Sequence, residues 1–485
     1  MAQVDNEYRK NDINIEQLLI YNTKGNFVSL QATCIEFNMY FNLFDSGIEA
    51  DFLISDTNAL VDFIPVVGDE TIVLTYKTPS FDTMREHVLR VVSISDREKV
   101  DRNEVYVIHA VSIETINDAR KTVNQSYVGQ FPHDIVNGIY QSHLKPIESD
   151  FQVVKKKYNV TTQKCRYQLP IIFTGESPYD AIEMICDEAI PAAGESGDVS
   201  DAGEQMKDGS SFLFFERADG WYFETLDSLL HSPPVEDFYL ADASVEKDNS
   251  QGQVIHEYQN ISTIDIDHQL DVMNNLDEGL YTNKVETIDP VFKIFREDTF
   301  NYSRDFKQLA HLEDHEFMGK DKTFKLKKDF DSDFLIPKDS YLTREEEGST
   351  STEYGISTLY VPDGDAGDLS SDPQLTYQRK IHEVQKYDNV ARLKLESMVL
   401  TVTIPGNSDI QIGQVVNLHI PQSSQSDDFK NSLSRLYDKK FFITNVRHVY
   451  QKADNIYFTV LQCAKDTYAI KTDQIDAKAE QGASE

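Results

Sequence analysis

Two stretches of this chain carry one pattern of apolar and polar positions. In the run DIQIGQVVNLHIPQ, Val416, Leu418 and Ile420 alternate with Asn417 and His419, the period of a strand with one covered face. In IPVVGDETIVLTYKTP, Ile72, Leu74 and Tyr76 alternate in the same way. Each strand is led in by a glycine, Gly68 in one copy and Gly413 in the other, and ends near proline. Two further strands joined by a charged turn follow in both places, EHVLRVVSISDREKVDRNEVYVIHAVS and DKKFFITNVRHVYQKADNIYFTVLQCA. Aligned on Tyr106 and Tyr457, the final strands match, and a longer loop after the first strand absorbs the remaining difference in spacing. The reading is an internal duplication of a small antiparallel β unit.

Between and around the copies the period changes. Strands are predicted at 27–33, 35–42 and 49–53, with a short helix at 57–63. The run HDIVNGIYQSHL puts Ile135, Ile139 and Leu144 near one helical face. A helix over 177–190 has Ser177 as N-cap, Pro178 at its first position and Asp180 as a capping-box variant. Ile182, Ile185, Cys186 and Ala189 form its apolar stripe. Residues 212–229 read as an aromatic hairpin turning at Asp219-Gly220, because a type I′ turn needs positive φ at both central positions. Its aromatics, Phe212, Phe214, Phe215, Trp221, Tyr222 and Phe223, are either a ligand platform or core, and aromatics on both faces of a strand favour core.

The predicted fold class is mainly β (α+β): two related antiparallel β-barrels with inserted mixed α/β domains. The first barrel spans 13–115, and a mixed helix and hairpin domain spans 116–254. The second barrel combines 255–302, a short helix and two strands, with 397–466. An insertion, 303–396, holds the basic patch KDKTFKLKK, the acidic loop 340–373 and a helix around 374–390, and 467–485 is a polar tail. Residues 1–12 read as an arm and 191–210 as a mobile acidic loop. Two β units per chain let three chains complete a ring of six, since cyclic symmetry joins subunits head to tail.

Composition narrows the function. The chain has 485 residues, enough for two to four compact units, with 46 basic and 82 acidic residues and a formal net charge of −36. Such a surface repels phosphate backbones. Four cysteines, Cys34, Cys165, Cys186 and Cys463, lack metal or disulfide spacing and read as reduced, buried thiols. No apolar run approaches the roughly 20 residues of a membrane helix, so no membrane insertion is expected. No phosphate loop, dinucleotide fingerprint or nucleophile elbow occurs. His311 and His315 have helical i, i+4 spacing but lack a zincin glutamate, and 363–368 lacks the order of a calcium loop. No enzyme activity, cofactor or metal is expected. The residues singled out are structural: Gly68, Gly413, Asp219, Gly220 and Trp221.

The run from VTIPGNSDIQIGQVVNLHIP to KKFFITNVRHVYQKADNIYFTVLQCAKDTY, with FLFFERADGWYFETLDSL and LDEGLYTNKVETIDPVFKIFREDTFNY, resembles the baseplate hub protein of contractile-tailed, T-even-like bacteriophages. The resemblance covers most of residues 13–470, in order, and departs from the family in the two acidic loops and the longer tail. It implies two tail-tube-like barrels per chain and a homotrimer that adapts a six-fold tail tube to a three-fold central spike. It also implies a lumen carrying the tape measure protein and then DNA without specific binding. The location would be the virion tail baseplate, assembled in the host cytoplasm. A hub of a phage-derived contractile injection system fits the same architecture, and an acidic carbohydrate-binding or glycoside-cleaving β protein is the alternative of another class.

Overall fold

The computed structural model describes residues 11–57, 66–79, 81–100, 103–146, 158–166, 168–192, 211–240, 257–269, 271–289, 294–306, 309–313, 315–316, 356–360, 387–388, 390–421, 437 and 439–468. The basic patch, the tail beyond 468, the 363–368 run and most of the predicted arm at 1–12, of the helix at 57–63, of both acidic loops and of the helix around 374–390 lie outside these residues.

Alternation delivers a mainly antiparallel β architecture. Seven strands come first: β1 (Asn14–Tyr21), β2 (Phe27–Ser29), β3 (Cys34–Asn42), β4 (Glu49–Asp56), β5 (Thr71–Lys77), β6 (Arg85–Val100) and β7 (Asn103–Ser112). They are hydrogen-bonded in the order β3-β4-β7-β6-β5-β1-β2. In β5 the alternating residues Ile72, Leu74 and Tyr76 are buried, and Val73 on the opposite face is buried as well. One-sided alternation thus understated a strand covered on both faces.

The second unit repeats this order. Strands Thr263–Gln269, Met398–Pro405, Ile456–Ala464, Lys439–Gln451 and Val415–His419 lie side by side in that sequence, standing where β3, β4, β7, β6 and β5 stand in the first. A β-bulge fixes the equivalence. Val91 pairs with Ala110 and Ser93 with His109, skipping Val92; Ile443 pairs with Cys463 and Asn445 with Gln462, skipping Thr444. Ala110 therefore corresponds to Cys463, which matches Tyr106 with Thr459 and Asp69 with Gly413. The sequence alignment on tyrosines and glycines is two residues out in one strand and one residue out in the turn. A slip of two leaves every side chain on the same face, so periodicity cannot detect it.

The expectation of two closed barrels is corrected. Both units belong to one thirteen-stranded sheet in which Lys439–Gln451 pairs antiparallel with β3. The edge of β3 that would close the first unit is taken by the second, and one apolar core runs beneath both, from Leu18 through Tyr76 and Leu400 to Cys463.

The intervening segments build two smaller cores. Helices Pro132–Ile139 and Pro178–Glu188 pack on the hairpin strands Phe212–Arg217 and Gly220–Thr225, burying Ile135, Ile139, Leu144, Ile182, Ile185 and Trp221. Ser177 caps the second helix by accepting from the Asp180 amide at 3.2 Å. Asp118, from a neighbouring helix, accepts from the Tyr179 amide at 2.7 Å. Strand Thr282–Asp289 pairs with both Ile294–Asn301 and Ile356–Tyr360, apart from the main sheet; among the described residues of the 255–302 stretch, the part that joins the main sheet is 260–269.

Candidate functional site at the junction of the two beta units

The place where the units meet is polar outside and aromatic inside. On one face of the β3 pairing, Arg447 donates to Asn38 Oδ1 from Nε at 3.1 Å and from Nη2 at 2.8 Å, and its guanidinium lies over the Tyr40 ring. On the other face the Phe37 and Tyr450 rings lie 5.2 Å apart, and Phe41 meets His448 edge-on at 5.6 Å. Alternation of a paired strand thus gives one half-open hydrogen-bonding face and one sealed aromatic face.

A second seam closes the junction from the side. Thr78 and Ser408 exchange hydrogen bonds, Thr78 N to Ser408 Oγ at 3.2 Å and Ser408 N to Thr78 Oγ1 at 3.0 Å. Arg85 donates to Ser408 O at 2.9 Å and pairs with Asp409 at 3.1 Å. Inside this seam Tyr76, His87, His448 and Tyr457 form one aromatic cluster. Burial, reinforced by the Arg85 charge, lowers the His448 pKa to about 3. The imidazole is therefore neutral, and its Nδ1 lies 2.9 Å from Tyr457 Oη and 3.2 Å from Thr459 Oγ1.

The turns that open the repeats lie in different surroundings. Gly68 has φ +92 and Gly413 φ +71, left-handed positions where glycine carries no Cβ penalty. Gly68 borders an open pocket with Arg90, Arg120, Lys121 and Lys145. At Gly413 a Cβ would come within 2.7 Å of Arg217 Nη2. Arg217 itself donates to Ile412 O at 2.8 Å, and Ala218 N donates to Gln411 Oε1 at 3.1 Å. The structure thus brings Gly413 against the aromatic hairpin and leaves Gly68 at a separate corner.

The hairpin turn differs from expectation by one residue. Arg217 pairs with Gly220, so the two loop residues are Ala218 and Asp219. Gly220 has φ +146, whereas Asp219 is not among the positive-φ residues, Asn11, Asp96, Lys439 and Asn455. Asp219 instead accepts from Tyr222 Oη at 2.8 Å, and Gly220 lets the backbone approach Asn159. The physical cause is the parallel pairing of Val160–Thr162 with the hairpin, which fixes the register from outside the turn.

Trp221 is fully buried, and its indole N–H donates to Glu114 Oε1 at 3.0 Å, which also accepts from Tyr140 Oη at 3.1 Å. Glu216 accepts from the Ile48 amide at 3.2 Å and from Ser112 Oγ. These two carboxylates tie the hairpin and helices to the first unit. Phe212, Phe214, Phe215, Trp221 and Phe223 are all buried and Tyr222 is half-buried under the Arg217 guanidinium, so five of the six aromatics are core.

His311 serves the fold as well. Its Nδ1 lies 2.7 Å from Asp466 and its Nε2 2.8 Å from Phe306 O, in a non-helical stretch, so the i, i+4 face imagined with His315 is not formed. All four cysteines are free and buried, and burial raises the thiols of Cys34, Cys165 and Cys463 to about 12. Among the described residues no helix is long and apolar enough to cross a membrane.

Sequence reasoning missed Asn38, Tyr40, Arg447, Glu70 and Gln414. A signal existed for Arg447: a single arginine inside the apolar strand FFITNVRHVY marks a strand face that meets polar partners.

No family model matches the chain, and no curated protein does. Solved structures resemble it in fold. The prophage MuSo2 43 kDa tail protein from Shewanella oneidensis is 8% identical, with a TM-score of 0.50 over 93% of this chain and 98% of that one. A tail protein from Neisseria meningitidis is 12% identical, with a TM-score of 0.49 over 93% and 97%. A type VI secretion component from Escherichia coli is 9% identical, with a TM-score of 0.39 over 93% and 76%. The first of these likenesses shows that the chain shares the fold of the MuSo2 tail protein.

Proposed function

We propose that this chain is the structural baseplate hub of a phage contractile tail. In this reading it is a homotrimer whose six β units form a pseudo-hexameric ring. One face of the ring meets the hexameric tail tube, and the intervening domains grip the trimeric central spike. The tape measure protein and then DNA pass through the lumen. The hub is non-enzymatic and resides in the virion after assembly in the host cytoplasm.

The observation that carries the reading is the strand order, repeated and joined edge to edge within one chain. Two equivalent units already side by side support a chain that supplies one third of a six-part ring, because cyclic symmetry could repeat the relation between neighbours. The proposed divisions at 13–115, 116–254, 255–302 with 397–466, 303–396 and 467–485 follow the same scheme. A net charge of −36 suits a channel from which a duplex slides without sticking.

End-on electron-microscope class averages of the purified protein test this. A hollow disc with three-fold symmetry and a six-fold outline is expected, and a monomer at every concentration rejects the reading. Tight, salt-sensitive retention of DNA by the trimer at low ionic strength would reject the sliding role of the lumen.

A further inference from the structure

We infer that a second copy of this chain pairs its strand Thr263–Gln269 antiparallel with the open edge Ser93–Lys99 of β6. This inference rests on the ring reading above and gives it a contact surface.

The argument starts from what the chain does internally. Lys439–Gln451, the equivalent of β6, uses its first residues to pair with Val415–His419 and its later ones, Asn445–Gln451, to pair with β3 along the same edge. β6 follows the same plan only halfway. Arg85–Arg90 pair with β5, but beyond Arg90 no described strand occupies that edge. The equivalent of β3 is Thr263–Gln269; among the described strands it pairs only with Met398–Pro405, and no described strand occupies its far edge at the end of the sheet. One chain therefore carries the two halves of a junction it has already made once, one at the end strand of the sheet and the other on the half of β6 that β5 leaves uncovered. A strand added to an open edge gains main-chain hydrogen bonds in register. Because the two halves differ, the contact runs head to tail, the kind of contact from which cyclic rings are built.

Burial agrees. Met39, the equivalent of Ile266, is 0% exposed in the formed junction, whereas Ile266 is 48% exposed; Thr444 is 7% exposed, whereas its equivalent Val92 is 50% exposed. Two branched apolar residues stand in water where their counterparts are covered. The bulge-anchored equivalence also fixes the register. Arg447 pairs with Tyr40 in the formed junction; Ser95 and His268 are their counterparts and face each other between copies. The charged run Asp96–Lys99 at the far end of the edge discourages indiscriminate pairing.

The test uses the full chain with Ser95→Cys and His268→Cys and a short bifunctional maleimide. The native thiols are buried and serve as background. A covalent ladder ending at trimer is expected, while a control pair with Ser29→Cys in place of Ser95→Cys stays uncrosslinked. Ile266→Asp is expected to weaken association at least tenfold with an unchanged thermal midpoint. A wild-type trimer that yields no ladder, or that Ile266→Asp leaves intact, overturns this junction and leaves the ring standing. A wild-type chain that is monomeric throughout overturns both.

Discussion

Glu70 and Gln414 hold equivalent turns in the two halves of the chain. Glu70 Oε1 accepts from the Val67 amide at 2.9 Å, and Gln414 Oε1 accepts from the Gln411 amide at 2.8 Å. Each lies three residues beyond its donor, and the backbone carbonyls of Glu70 and Gln414 accept from the equivalent amides of Val91 and Ile443. Glu70 also accepts from the amides of Gly68 and Asp69. Replacing it with alanine strands several donors, and Glu70→Ala is expected to cost about 1–3 kcal/mol. Gln414→Ala, with one such amide, is expected to cost less. Urea unfolding of both variants checks the order.

His448 makes stability depend on pH. Its folded pKa of about 3 lies below the ordinary value of 6.5, so as pH falls the unfolded chain takes a proton first. The contribution is whole above pH 6.5 and is lost progressively toward pH 3, with a slope on the order of 1.4 kcal/mol per pH unit. Comparing the wild type with His448→Gln across this range isolates the slope, which the variant should lack.

Gly406 lies directly against the Tyr457 ring, where a Cβ would overlap Cδ1 and Cγ. Tyr457 is fixed by His448 and by the neighbouring Tyr76 ring, so it cannot step aside cheaply. Gly406→Ala is expected to destabilise the chain by about 1–3 kcal/mol through overpacking. Thermal melts measure this, and Gly25→Ala, at φ +80 with no atom within 4 Å, should cost less.

Trp221→Phe removes a donor from a buried carboxylate and leaves space beside Phe214, whose ring is stacked at 4.7 Å. A loss of about 2–4 kcal/mol is expected, with hydrogen exchange rising first in the helices that share this core. Unchanged stability would restore the ligand-platform reading of the hairpin.

Local patterns announced the elements and concealed their partners. The Ser177 cap, the buried helix stripe and the alternating strands could be read residue by residue because each depends on neighbours a few positions away. The Asp219-Gly220 turn misled for the opposite reason: a distant strand, Val160–Thr162, set its register. Arg447 and Asn38 meet across most of the chain's length, a separation over which no period carries information.

The amino-acid order alone determined that the chain is mainly β, that its two ends carry versions of one unit, and that its thiols are buried. Those properties follow from side-chain period and hydrophobicity. Only the tertiary structure decided that the units share one sheet instead of closing separately, and which residues correspond. Strand pairing is made by backbone groups that every residue carries, so the choice of partner for an edge rests on geometry summed over the whole fold.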